Sequence, residues 1–168
     1  MKKLLFVLLT SFLSICYVSA QSQKNEFSFA GNLNYGGKIE SLGLGLRAQY
    51  GFTEYIRGAA EYKYYIERHG MSAWNWSINA HYVVDVSRSF SFYPIGGLSL
   101  SRWTYDPDRL GLSEIAELKY NDDRLGLNIG LGAQIATGDK TFIQIELKEA
   151  LVKNYSQFEV SVGFMYQF

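Results

Sequence analysis

Cysteine is almost absent from these 168 residues: Cys16 stands alone, so no intrachain disulfide framework can form. It also lies in a segment expected to be removed, which leaves the mature chain without a thiolate metal ligand or a cysteine nucleophile. Proline is scarce, with only Pro94 and Pro107, and histidine is limited to His69 and His81. After residue 20 no apolar run approaches the ~20 residues that a transmembrane helix requires. Segments of helical period are nearly absent. Neither sign of charge dominates. Without Lys2 and Lys3, 14 basic side chains stand against 16 acidic ones, so nothing points to nucleic-acid binding or to a polybasic membrane anchor. Gly43-Leu44-Gly45 and Gly130-Leu131-Gly132 are not phosphate loops, because they fall inside strand-like alternation rather than at a strand-to-helix turn.

The first twenty residues read as a secretory signal peptide. Lys2 and Lys3 supply the positive region, and Leu4 to Leu13 form an apolar stretch too short to span a bilayer. Val18-Ser19-Ala20 then places small residues at a cleavage site before Gln21. Cys16 after Leu13-Ser14-Ile15 fits a lipoprotein signal poorly, since Ile15 is bulky where a small residue is expected. The expected division is therefore 1–20 as signal peptide and 21–168 as one domain, 148 residues from Gln21 to Phe168.

Within that domain the main signal is alternation. Leu42, Leu44, Leu46, Ala48 and Tyr50 share one face, with Gly43, Gly45, Arg47 and Gln49 on the other. Trp74, Trp76, Ile78, Ala80, Tyr82 and Val84 oppose Asn75, Ser77, Asn79 and His81. Leu125 to Ile135 and Phe158 to Phe168 repeat the pattern. A strict period of two over ten residues specifies a strand with one apolar face. Phe27–Tyr35, Tyr55–Ile66, Phe90–Tyr105 and Thr141–Lys148 bring the expected number to eight. Most are longer than the ~5–6 residues of a globular strand and reach the ~9–11 that cross a bilayer at a tilt.

The connections alternate too. Gly51–Glu54, Asp85–Ser89 and Thr137–Lys140 read as tight polar turns. Gly36–Glu40, Glu67–Gly70, Asp106–Asp123 and Glu149–Ser156 read as loops at the other end. Aromatic residues gather near strand ends: Tyr50, Phe52, Tyr55, Phe90, Phe92 and Phe142 toward the turns, and Tyr35, Tyr64, Trp74, Trp76, Trp103 and Tyr155 toward the loops. Two such girdles suit two membrane interfaces. The expectation is an all-β fold, an eight-stranded antiparallel up-and-down transmembrane β-barrel with both termini in the periplasm. A soluble lipocalin-type barrel would alternate similarly, but the polar face here mixes glycine with charge, which suits a crowded lumen.

The chain closes on Val160-Ser161-Val162-Gly163-Phe164-Met165-Tyr166-Gln167-Phe168. Together with the signal peptide and the amphipathic strands, this ending resembles the outer-membrane protein β-barrel domain family, which includes the small barrels of the OmpA and OmpX type. The tyrosine-rich style is also similar to that of barrels common in Bacteroidetes. The resemblance covers the mature chain and implies location in the bacterial outer membrane. It implies outer-membrane lipid and lipopolysaccharide as surroundings, and recognition of the strand ending in Phe168 by the barrel-assembly machinery. No peptidoglycan-binding domain follows Phe168, so a cell-wall tether is not carried over.

Alternation points Arg47, Arg57, Glu61, Lys63, Glu146, Lys148 and Glu159 into the lumen. An eight-stranded barrel is just wide enough for side chains to fill it, and unpaired buried charge is costly. A salt-bridged interior is expected, and a narrow porin-like path for ions or small solutes is the alternative. Asp106, Asp108, Gly111, Glu114 and Glu117 fall at calcium-loop spacing, but Leu110 and Pro107 interrupt the template and the flanks are strands. An acidic solvated loop is the expectation. Ester chemistry on a small outer-membrane barrel, as in the lipid A deacylases and palmitoyltransferases, needs a base beside a serine or threonine hydroxyl. His69 has Ser72 three residues on and His81 faces the lumen, yet neither stands in a His-x-Ser arrangement. No catalytic, cofactor-binding or metal-ligating residue is therefore assigned, no cofactor or nucleic acid is expected, and the partner of the loops stays open. The expected role is structural or surface-interacting rather than enzymatic.

Overall fold

The computed structural model describes residues 24–105, 120–152 and 156–168. Residues 1–20, expected to be a signal peptide, and the residues Asp106 to Glu117 at calcium-loop spacing lie outside the described residues, as does Tyr155. The strands are β1 (Phe27–Gly36), β2 (Ser41–Gly51), β3 (Ile56–Arg68), β4 (Met71–Tyr82), β5 (Val84–Ser87), β6 (Phe90–Tyr105), β7 (Tyr120–Ala136), β8 (Thr141–Val152) and β9 (Gln157–Gln167). β4 and β5 both pair with β6 and are two pieces of one barrel strand divided at Val83. Every other neighbour in sequence is a neighbour in space, and β1 pairs antiparallel with β9 to close the sheet. The result is a closed eight-stranded antiparallel up-and-down barrel without a free edge.

The tilt follows from the register. Glu26 meets Gly51 through a backbone hydrogen bond, and pairing then runs Gly51, Arg57, His81, Ile95, Gly130, Lys148, Glu159 and back to Gly36. One circuit thus advances β1 by ten residues, from Glu26 to Gly36. Ten rises of ~3.3 Å over eight spacings of ~4.8 Å tilt the strands by about 40°.

Burial inverts the usual order of a globular protein. Inward positions are polar and shielded, among them Asn32, Arg47, Glu61, Asn79, Gln134 and Glu146. Outward positions are apolar and open, such as Leu33, Leu44, Ile78, Leu125 and Ile129. A lipocalin-type barrel has the opposite arrangement, so this wall is built for lipid rather than water.

Several boundaries differ from the sequence expectation. Glu67 and Arg68 extend β3, and the link to β4 shrinks to His69 (φ 51°) and Gly70 (φ 68°), a two-residue hairpin turn with both residues left-handed. β8 runs on to Val152, four residues past its expected end at Lys148. Asp85, Val86 and Ser87, expected in a turn, belong to strand β5. Trp103 and Phe142, expected in the girdles, point inward and are buried. The physical reason is parity. Trp103 shares the inward register of Tyr93 and Ser99 on β6, and Phe142 that of Gln144 and Glu146 on β8. They cap the two ends of the lumen. At the loop end Trp103 packs with Tyr65, Ala73 and Ile39, the last folded in from the 37–40 loop. At the turn end Phe142 packs with Ala30 and Met165.

Candidate functional site in the charged lumen

Among the described residues, chemically distinctive side chains converge in the lumen. β2 contributes Arg47, β3 contributes Arg57, Glu61 and Lys63, β8 contributes Glu146 and Lys148, and β9 contributes Glu159. Each occupies an inward position because the strand period of two sends alternate side chains to one face. All seven predicted residues are at most 2% exposed.

Two carboxylates and two cations close a ring. Arg47 Nη2 donates to Glu61 Oε1 at 2.7 Å, and Arg47 Nη1 to Glu146 Oε1 at 2.5 Å. Lys148 Nζ donates to Glu61 Oε2 at 2.8 Å and lies 3.0 Å from Glu146 Oε2. Each cation therefore touches both carboxylates, and each carboxylate both cations. The ring spans the lumen, since β3 and β8 are four strands apart around the wall by way of β1. Lys63 extends it, pairing with Glu159 and standing 3.8 Å from Glu61. Glu61 is the hub, for Asn32 Nδ2 also donates to it at 3.2 Å. Charges so removed from water are tolerated only when they are paired and hydrogen-bonded this fully.

Toward the turn end the network turns neutral. Arg47 Nη1 reaches Gln144 Oε1 at 3.1 Å, and Gln144 Nε2 donates to Gln134 at 3.0 Å. Gln134 also accepts from Arg57 Nη1 at 2.7 Å. Arg57 lies against an aromatic ring and an imidazole. Its guanidinium lies 4.7 Å from the Tyr93 ring centroid, and its Nη2 is 3.3 Å from His81 Nδ1. His81 stacks on the same ring at 4.8 Å, and Tyr93 Oη donates to Glu146 at 3.0 Å.

Tyr93, Asn32, Gln134 and Gln144 are the members that sequence reasoning did not single out. Their inward parity was readable; their partners lie 10 to 97 residues away and were not. Two glycines make the room. A Cβ on Gly132 would collide with the Tyr93 ring, and one on Gly163 with Asn32 Oδ1. Of the two histidines, His69 sits in the β3–β4 turn, outside the lumen. His81 is buried against Arg57 and Tyr93 rather than against a serine or threonine hydroxyl. Among the described residues no group of three or more His, Cys, Asp or Glu is placed to hold a metal ion.

A closed, inside-out barrel with a polar interior defines a transmembrane β-barrel protein of the bacterial outer membrane. A family model for the outer membrane protein beta-barrel domain matches residues 7–168, and the chain belongs to that family. Solved structures agree on the fold. The N-terminal β-barrel domain of Pseudomonas aeruginosa OprF is similar with a TM-score of 0.72 at 15% identity, covering 86% of this chain and 98% of that one. Pseudomonas aeruginosa OprG gives 0.65 at 12% identity over 89% and 99%. The neisserial surface protein NspA gives 0.63 at 17% identity over 85% and 95%. At these identities the likeness concerns fold alone. No curated protein matches the chain.

Proposed function

We propose that this protein is a structural or surface-interacting barrel, not an enzyme, whose lumen is closed to ions by its own side chains. One observation carries the reading: Arg47, Glu61, Glu146 and Lys148 bond to one another across the middle of the lumen. An ion crossing the barrel must break into a ring whose members already satisfy each other, and opening it exposes uncompensated charge. The apolar layers around Trp103 and Phe142 stand above and below this ring. Interaction then falls to the loop end, which on this reading faces outward among lipopolysaccharide and partner proteins, while the tight turns face the periplasm. Residues 1–20 serve as the cleaved signal peptide, and the strand ending in Phe168 is read by the assembly machinery.

Planar-bilayer recording on the refolded chain, with a heat-modifiability gel as the folding check, tests this. The expected result is a shifted, folded band without stable channels. Removing one cation and one anion together, as in Arg47→Met with Glu146→Leu, is expected to leave the barrel silent. Regular salt-dependent conductance from the unaltered protein would replace this reading with the narrow pore.

A further inference from the structure

The barrel wall has a break in its hydrogen-bond ladder. Between the β4–β5 strand and β6 the pairs run from Met71 with Tyr105 to His81 with Ile95, then resume at Val84 with Phe92. The register is unchanged across the gap, which sets Tyr82 opposite Pro94. Proline has no N–H to give to that ladder. The β3 side is intact, for Val83 N–H donates to the Tyr55 carbonyl at 2.7 Å.

Over the gap, on the outer wall, lies a trough of about 600 Å³. Ala80 and Gly96 form its floor. Ile56 and Tyr82 form one rim, Ile129 and Leu131 the other. Packing does not require the glycine. A Cβ on Gly96 would meet no atom within 4 Å, and its backbone is not left-handed. Glycine inside a strand weakens it and often marks close approach of a ligand. The trough carries no Asp, Glu, Lys or Arg, and its volume falls in the usual range of small-molecule sites. At its turn end Tyr82 stacks on Tyr55 with centroids 6.1 Å apart and an angle of 24°. Both rings are about half exposed, at the level of the turn-end girdle where lipid headgroups meet the protein.

We propose that this trough holds one phospholipid of the leaflet on the turn side. One acyl chain lies over Ala80 and Gly96, and the Tyr55 and Tyr82 hydroxyls donate to its ester or phosphate oxygens. The trough is continuous with the lipid-facing wall, which identifies its occupant as lipid rather than peptide. The chain fills the wall at the place where Ala80 and Gly96 present no large side chain between the flanking rims.

Native mass spectrometry of the protein purified from membranes in mild detergent tests the site, with added phosphatidylethanolamine as the probe. Gly96→Leu fills the floor. Gly31→Leu makes the same change on β1, where a Cβ likewise meets nothing within 4 Å. The unaltered protein and Gly31→Leu are expected to retain one phospholipid per barrel, Gly96→Leu none, and Tyr82→Phe a reduced fraction. Ala80→Leu fills the same floor from β4 and replaces Gly96→Leu should that variant fail the heat-modifiability check. Failure of the unaltered protein to retain a phospholipid overturns the proposal, as does equal retention in the filled and unfilled variants, which marks general annular lipid.

Discussion

Glu61 receives a guanidinium, an ammonium and an amide at hydrogen-bond distance, from three different strands. Buried ion pairs of this kind add little relative to a well-packed apolar core, but losing one member leaves its partners charged and dry. Glu61→Ala is therefore expected to lower unfolding stability by about 3–5 kcal/mol, measured by urea titration of the barrel in phospholipid vesicles. Removing Glu61 together with Lys148 is expected to cost much less than the sum of the single changes, because each single variant strands the other's charge. That these side chains face inward was readable from the sequence, since Arg47, Glu61 and Glu146 each alternate with apolar neighbours. That Arg57 would lie over Tyr93 and donate to Gln134 was not. Parity states which face a residue takes, but the choice among facing partners depends on how strands from 77 residues away are staggered.

At the scale of elements, the turns decide where strands stop. His69 and Gly70 both adopt positive φ, which matches the right-handed twist of the hairpin and allows β3 and β4 to run to their tips. Gly70→Ala places a Cβ in the left-handed region and is expected to cost about 1–2 kcal/mol, read in the same urea titration. Ala at Gly31, where backbone and space are ordinary, is expected to leave stability unchanged within error. The closing strand carries a different prediction. Phe168 N–H bonds to the Phe27 carbonyl at 2.9 Å and its ring lies 5.1 Å from that of Tyr166, at the outer edge of the β1–β9 seam. Because this is one bond of a long ladder, deleting Phe168 is expected to leave refolding into vesicles almost unaffected. Folded protein in cells is expected to fall sharply, which is the signature of lost recognition rather than lost stability. Equal losses in both assays would assign Phe168 a structural role only.

For the whole molecule, the two ends are unlike each other. The 37–40 loop folds Ile39 into the lumen mouth beside Trp103, while the opposite end is drawn together by short turns such as 137–140. The orientation proposed above predicts that Lys38→Cys in intact cells reacts with a membrane-impermeant maleimide. Asp139→Cys is expected to react only after the outer membrane is permeabilised. The reverse pattern would invert the barrel and assign the interaction surface to the tight turns.

The residues by themselves determined the fold class, the approximate strand positions and which side chains face the lumen, because a period of two is a local property of a pleated strand that needs no knowledge of neighbours. They also determined that the apolar face must meet lipid once the polar face carried paired charge. Only the tertiary structure decided the stagger of ten residues per circuit, and with it the ring of Arg47, Glu61, Lys148 and Glu146. It alone decided which side chains meet Trp103 and Phe142 at the two ends of the lumen, and that a trough lies beside Pro94 and Gly96. Those outcomes depend on register between strands distant in the chain, a quantity set by closure of the whole barrel rather than by any one segment.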